Sequence, residues 1–203
     1  MSAFDDPLFD RRTAVLALSG AALGLIAAAP ARSAAWSQTV TTSPIGAFVV
    51  GNPAAKVRLV EYFSYTCHIC ADFTKASALP LKTGYIDRGL VLFEYRNLVR
   101  DPVDMTAALL ARVGGAKAFA GNHQAIFAAF PATIAKVQKA TEAQLDAALG
   151  SEVAQAELTG MTNIGRSADH VEGTPSFFIN GRNAEVTAWP ALKSKLDLAL
   201  KAA

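Results

Sequence analysis

The sequence predicts an α/β fold: a small layer of strands and helices interrupted by an all-helical block. Three observations predict it. Residues 36 to 99 alternate between strand-like and helix-like patterns, residues 100 to 171 carry helical spacing throughout, and strand chemistry returns in residues 172 to 203.

From Trp36 to Pro44 the chain is polar and rich in Thr and Ser, as expected of a lead-in arm. Phe48-Val49-Val50 predicts a short strand ended by Gly51-Asn52-Pro53. Val57 to Tyr65 is almost wholly apolar or aromatic and too short for a helix, so it reads as a buried strand. A helix is expected from near Cys67 past Leu81, kinked at Pro80, with Gly89 closing that stretch. Leu90 to Leu98 alternates, with Val91, Phe93 and Tyr95 on one face, as a strand does.

The period then changes. Asp101-Pro102 pairs an N-cap residue with a proline in the first turn, and Met105 to Val113 follows at helical spacing up to Gly114-Gly115. Phe119, His123, Ile126, Phe127 and Phe130 form a second helical stripe. Thr141-Glu142-Ala143-Gln144 is a capping box whose helix ends at Gly150, and Ser151 caps another helix expected to run to about His170. Ser176 to Ile179 is a strand, Asn180-Gly181 a two-residue hairpin turn, and Arg182 to Thr187 the expected return strand. Leu192, Leu196 and Leu200 mark a closing amphipathic helix.

Composition narrows the function classes. A hydrophobic content of 52% is enough to build a core, and 203 residues suit one domain with an inserted lobe. Lys and Arg number 19 against 17 Asp and Glu, and no basic run occurs, which argues against a nucleic-acid partner. Residues 1 to 35 look like an export signal: Arg11-Arg12, an apolar run from Ala14 to Ala29, then Pro30 and the small residues Ala31, Ser33, Ala34 and Ala35. Cleavage after Ser33 or Ala35 fits this pattern. The apolar run falls short of the ~20 residues that span a bilayer, so an export signal is expected rather than an anchor. The arginine pair leaves both the general secretory and the twin-arginine routes open. Export leads to an oxidising compartment, here the periplasm, where disulfide chemistry persists.

Only two cysteines occur, in Cys67-His68-Ile69-Cys70, directly after the strand-like run. A Cys-x-x-Cys at the start of a helix is the layout of a redox-active dithiol. The helix N-terminus favours negative charge on Cys67, and Cys70 lies about one turn further in, placed to resolve a mixed disulfide. The competing readings are an inert disulfide and half of a zinc site. A structural zinc needs four ligands and there is no second cysteine pair. Dithiol exchange of this kind needs no bound cofactor and no metal. Glu61 falls on the same strand face as Leu59 and Phe63, where a carboxylate is costly and its pKa rises; the alternative is a strand-edge glutamate that reaches water. His123 reads as packed against its apolar stripe and His170 as a solvated helix end. Pro175, in Gly173-Thr174-Pro175 at the head of a strand, fits either a cis or a trans peptide bond.

The run Glu61 to Cys70, the helical block, and Gly173-Thr174-Pro175 followed by Phe177-Phe178-Ile179-Asn180-Gly181 together resemble the DsbA-like thiol:disulfide oxidoreductases. The resemblance extends from about Val50 to the C-terminus. It implies a thioredoxin-like fold with an inserted helical domain: residues 36–99 and 172–203 form the two parts of the thioredoxin-like domain, and residues 100–171 the insertion. It further implies that Cys67 is the nucleophile and Cys70 the resolving thiol. A cis-Pro175 would face them, with Thr174 binding substrate, and Glu61 would lie beneath the dithiol and shuttle protons to Cys70. The family usually carries Pro-His between its cysteines; here the dipeptide is His68-Ile69. His68 is a candidate donor to the Cys67 sulfur, or it points to solvent.

The implied activity is introduction of disulfides into unfolded secreted proteins that carry free thiols. A quinone-linked membrane partner would re-oxidise the dithiol. No long heptad stretch occurs, so a monomer is expected. Two alternatives stand beside this reading. One is a reductase or isomerase on the same fold, distinguished by its reduction potential. The other is a carrier of a soft ion such as Cu(I) held by Cys67, His68 and Cys70.

Overall fold

A computed structural model describes residues 35–129 and 141–203. Almost all of the expected export signal, and Phe130 of the second helical stripe, lie outside the described residues. Among the described residues no helix is long and apolar enough to cross a membrane.

Among the described residues six strands form one sheet in the order β1-β2-β4-β3-β5-β6. They are β1 (Val40–Thr42), β2 (Phe48–Val50), β3 (Val57–Phe63), β4 (Val91–Asn97), β5 (Ser176–Ile179) and β6 (Arg182–Asn183). Only β3 and β4 run parallel, and the other pairings are antiparallel. The central strand β3 is buried along nearly its whole length, which explains its near-continuous apolar sequence. Its register sets Glu61 between Tyr95 of β4 and Phe177 of β5.

The helices are α1 (His68–Leu81), α2 (Pro102–Ala111), α3 (Gly115–Ala129), α4 (Glu142–Leu149), α5 (Glu152–Ser167) and α6 (Trp189–Ala202). The helical block α2–α5 therefore stands between β4 and β5, within the expected insertion. Side-chain caps start three of these helices as the sequence predicts. Asp101 accepts from the Asp104 N–H at 2.8 Å, Ser151 accepts from Ala154, and Thr141 and Gln144 form a reciprocal capping box.

The sequence reading needs correction in three places: the lead-in arm, the end of α5 and the length of β6. The polar lead-in arm contributes a 3-10 turn at Trp36–Gln38 and the edge strand β1, because its backbone pairs with β2 whatever its side chains are. As expected, the helix runs past Leu81, with Pro80 inside α1 and a π-helical turn continuing it at Lys82–Ile86. Helix α5 stops at Ser167, and His170 has a positive φ of 52°, so residues 168–175 form a loop rather than more helix. The return strand β6 is only two residues long. Asn180 and Gly181 make the predicted turn with φ of 48° and 80°, but Glu185 also turns left-handed at 54° and ends the pairing.

The core fills both faces of the sheet. On one face Leu59, Phe73, Phe177, Leu192 and Leu196 pack α1 and α6 against it. The same face continues into an aromatic cluster where α3 docks: Phe63, Tyr65, Tyr95, Phe119, His123 and Phe127 stack at centroid separations of 4.9 to 6.3 Å. On the opposite face α5 approaches closely at Gly165, where a Cβ would sit 2.8 Å from the Tyr62 ring. Buried Glu94 there pairs with Arg58 and, at 2.8 Å, with Arg96. Burial alone would raise the Glu94 pKa, but the two guanidinium groups outweigh it and hold the carboxyl below its ordinary value.

Candidate active site

Strand β3 ends at Phe63, and the chain turns through Ser64-Tyr65-Thr66 into α1. Cys67 has extended backbone angles (φ −101°, ψ 113°) and is the N-cap of α1, with its sulfur accepting from the Cys70 N–H at 3.4 Å. Sulfur thus takes the place that a serine or aspartate oxygen usually holds. A negative sulfur there faces unpaired N–H groups and the positive end of the helix dipole. Both cysteines are free thiols; Cys67 is 5% exposed and Cys70 fully buried.

The Thr174–Pro175 peptide bond is cis, and the Cys67 thiol donates to the Thr174 carbonyl at 3.2 Å. The structure therefore brings Cys67, Cys70, Thr174 and Pro175 together. The carbonyl contact belongs to the protonated thiol. The Thr174 hydroxyl is buried and has no partner, and it is a donor available to the thiolate.

The two thiols have opposite acidities. The Cys67 pKa falls from 9.0 to about 5. The bond given by the Cys70 thiol is the largest cause; burial opposes it, and the Thr174 hydroxyl and the Cys70 and Ile69 N–H groups add to it. Cys70 moves strongly upward, through burial first, then its bond to Cys67 and the charge of Glu61. One sulfur is set up to carry negative charge and the other to hold a proton.

Glu61 is 1% exposed and its Oε1 has no hydrogen-bond partner. Burial, then the nearby Cys67 charge, push its pKa to about 8. It lies on the α1 side of β3, in electrostatic reach of both sulfurs. His68 is exposed, and no hydrogen bond joins it to the Cys67 sulfur; the sulfur's N–H donor comes from the backbone. His123 is 3% exposed, with its Nδ1 3.1 Å from the Tyr65 hydroxyl, and burial lowers its pKa to about 3. His170 is exposed beyond α5. Among the described residues no group of three or more His, Cys, Asp or Glu is placed to hold a metal ion.

Two aspartates of the insertion complete the site, and sequence reasoning assigned only a helix cap to one of them. Buried Asp104 accepts from the Tyr65 N–H at 2.8 Å and the Arg100 N–H at 3.0 Å. Asp101 accepts from the Thr66 hydroxyl at 2.8 Å. The start of α2 therefore clamps the two residues that precede Cys67. The available signal was a second acid one turn after the cap. A surface groove of about 340 Å³ runs beside Cys67 and Thr174, with Arg100, Arg166 and Glu172 on its rim.

A family model described as Thioredoxin matches residues 43–197. A provisionally named protein-disulfide oxidoreductase of Rickettsia prowazekii is 30% identical over 165 residues, 75% of this chain and 61% of the relative. The chain thus spans about three fifths of the length of the curated relatives it matches. A protein-disulfide isomerase from Novosphingobium aromaticivorans superposes with a TM-score of 0.68 at 30% identity, covering 75% of this chain and 96% of that one. The alpha-DsbA1 of Wolbachia pipientis shares the fold, with a TM-score of 0.70 at 16% identity over 79% of this chain and 94% of its own. On the family match over residues 43–197 the chain belongs to the thioredoxin family, and its helical block set into a thioredoxin-like sheet is the fold of the Wolbachia alpha-DsbA1.

Proposed function

We propose that the chain is a thiol-disulfide oxidoreductase that oxidises thiols in secreted proteins. The observation that carries this reading is the geometry of the dithiol: the Cys67 sulfur caps α1 one turn before buried Cys70 and lies 3.2 Å from the Thr174 carbonyl, beside cis-Pro175. A substrate thiolate attacks the Cys67 sulfur of the oxidised enzyme, the Cys67–Cys70 bond breaks, and Cys70 leaves and takes up a proton. Cys70 needs that proton because its thiolate is strongly disfavoured. Glu61, protonated below about pH 8, is the donor within reach. A second substrate thiol then attacks the mixed disulfide. The substrate leaves oxidised, and Cys67 departs as the stable thiolate. Two electrons pass from the substrate dithiol to the enzyme, one proton stays on Cys70 and the other reaches solvent.

Thr174, Pro175 and the adjoining groove form the proposed surface for an extended substrate, and the helical block is an inserted domain bordering it. Export to the periplasm, a quinone-linked membrane partner that re-oxidises the dithiol, and a monomeric state belong to the same proposal. Export rests on the signal-like residues 1–35 and on the need for an oxidising compartment.

The isomerase name of the Novosphingobium relative favours a second reading, in which the reduced dithiol reshuffles or reduces disulfides. Titration in glutathione buffers separates the two. A potential well above the cytosolic glutathione poise of about −220 to −260 mV is expected for the oxidase, and one near that poise selects the reductase or isomerase. A Cys67→Ser variant should lose exchange altogether; retained exchange in it would refute the assigned sulfur roles.

A further inference from the structure

Among the described residues Arg58, Arg96 and Arg112 are held in ion pairs, and Arg88 donates to a backbone carbonyl. The side chains of Arg100, Arg166 and Arg182 make no hydrogen bond or ion pair with any described residue. Two of these three, Arg100 and Arg166, are exposed on the rim of the groove of about 340 Å³ beside Cys67 and Thr174.

The two ends of the helical block bring them there. Arg100 directly precedes Asp101, the N-cap of α2, and Arg166 stands in the last turn of α5. The Val99 N–H donates to the Thr162 hydroxyl of α5 at 2.9 Å, and the Arg100 N–H donates to Asp104 at 3.0 Å. Thr162 lies one turn before Arg166 and on the same helix face. The backbone that carries each guanidinium is therefore fixed, while the guanidinium itself is left without a partner.

Local rules do not explain this pair. A cation suits the C-terminus of α5, which accounts for Arg166, but the helix dipole disfavours Arg100 at the start of α2. Neither arginine bonds to the Cys67 sulfur, whose partners are the Thr174 carbonyl and the Cys70 N–H. Acids of the adjoining segments are already engaged. Asp101 accepts from the Thr66 hydroxyl and the Asp104 N–H, and Asp169 pairs with Arg96. Glu172, also on the rim, forms no ion pair with either arginine. The groove thus sets two unpartnered cations against one acid, next to the sulfur that a substrate attacks.

We propose that Arg100 and Arg166 select the substrate: the groove takes polypeptide segments that carry Asp or Glu close to the reacting cysteine. The inference rests on the dithiol-exchange reading and names its substrate class. Extended chain advances ~3.3 Å per residue, so a groove of this size seats about two or three residues, and the acid lies that close to the cysteine. Its carboxylate accepts from the guanidinium forks and takes no part in the covalent steps. It orients the substrate thiolate toward the Cys67 sulfur, and the positive rim raises the rate of encounter. An acidic neighbour also disfavours ionisation of the substrate thiol in solution. The two arginines offset that charge at the enzyme.

The test uses the oxidised protein and short dithiol peptides that are identical except for Glu, Gln or Lys beside the cysteines. Each kcat/KM is divided by the rate of the same peptide with hydroxyethyl disulfide, an uncharged reference that removes differences in thiol acidity. At low salt the Glu peptide should be preferred over the Lys peptide about tenfold, which two solvent-exposed ion pairs can supply, with the Gln peptide between them. The preference should shrink toward unity near ~1 M salt. Arg100→Gln and Arg166→Gln should each lower it, and the double variant should abolish it; the single variants decide if the double one folds poorly. Two peptides are compared on one enzyme, so any change in Cys67 acidity cancels. Arg182→Gln, opposite Ile179 at the end of the sheet away from Cys67, should leave the preference intact. Equal rates for the Glu and Lys peptides, or a preference that survives when both arginines are replaced, would overturn the selection while leaving dithiol exchange standing. Loss of the dithiol reading itself would show separately, as exchange surviving in Cys67→Ser.

Discussion

The thiol of Cys67 lies 3.2 Å from the carbonyl oxygen of Thr174, the residue that precedes cis-Pro175. These residues are 107 positions apart in sequence, and the sheet brings them together by setting β5 beside β3. The pairing fixes what the sulfur meets in each charge state. The thiol finds a carbonyl acceptor, and the thiolate finds the Thr174 hydroxyl and the helix N–H groups.

The acidity of Cys67 makes stability depend on both pH and redox state. Its folded pKa is about 5 against 9.0 ordinarily. A depressed pKa contributes stability that is fully present above the unfolded value and lost as pH falls through the folded one. The oxidised protein lacks this ionisation. Reduced protein should therefore gain stability relative to oxidised protein as pH rises from about 5 to 8, by at most about 1.4 kcal/mol per pH unit. Urea unfolding of both forms across that range checks it, and parallel pH profiles would contradict it.

Glu61 works in the opposite direction. Its pKa is raised from 4.5 to about 8, so its stabilising contribution is present below pH 4.5 and is lost as pH rises through 8. Glu61→Gln should be increasingly more stable than the parent over that window, reaching on the order of a few kcal/mol. The same variant should slow disulfide exchange about 10- to 100-fold, because Cys70 loses its proton donor. Denaturation at pH 5 and pH 9 and stopped-flow kinetics measure the two effects.

Asp104 accepts two backbone N–H groups next to the dithiol. An asparagine at that position has one acceptor oxygen, so Asp104→Asn leaves one of the N–H groups poorly paired. A loss of about 1–3 kcal/mol is expected, read as a lower urea midpoint with an unchanged slope. Faster amide hydrogen exchange at Tyr65 or Arg100 would locate the damage.

Two glycines of α5 should behave differently. A Cβ at Gly165 would meet Tyr62 at 2.8 Å and Leu98 at 2.9 Å, whereas one at Gly160 meets nothing within 4 Å. Gly165→Ala should cost about 1–3 kcal/mol through overpacking. Gly160→Ala should be neutral or stabilising by up to about 1 kcal/mol. Thermal unfolding of the pair decides whether α5 is held as tightly as described.

The sequence carried the fold wherever a local rule operates. Asp101-Pro102, the Thr141 capping box, Ser151 and the Asn180-Gly181 turn each act within a few residues, so their elements begin where the pattern places them. It misled where tertiary pairing decides. The strand β1 is polar and exists because β2 lies beside it, and β6 is cut short by the backbone at Glu185. At the site, Cys67 and Cys70 announce themselves by spacing, and Glu61 by its place on a buried face. Asp104 is invisible as a clamp because its partners are backbone groups 39 and 4 residues away.

The most direct test is the ultraviolet thiolate absorbance of the reduced protein titrated against pH. A single step with its midpoint near pH 5, absent from Cys67→Ser and with no second step below pH 9, is the result this site requires. A midpoint near 9, or two thiols ionising together, would contradict a sulfur held as an anion at the start of α1.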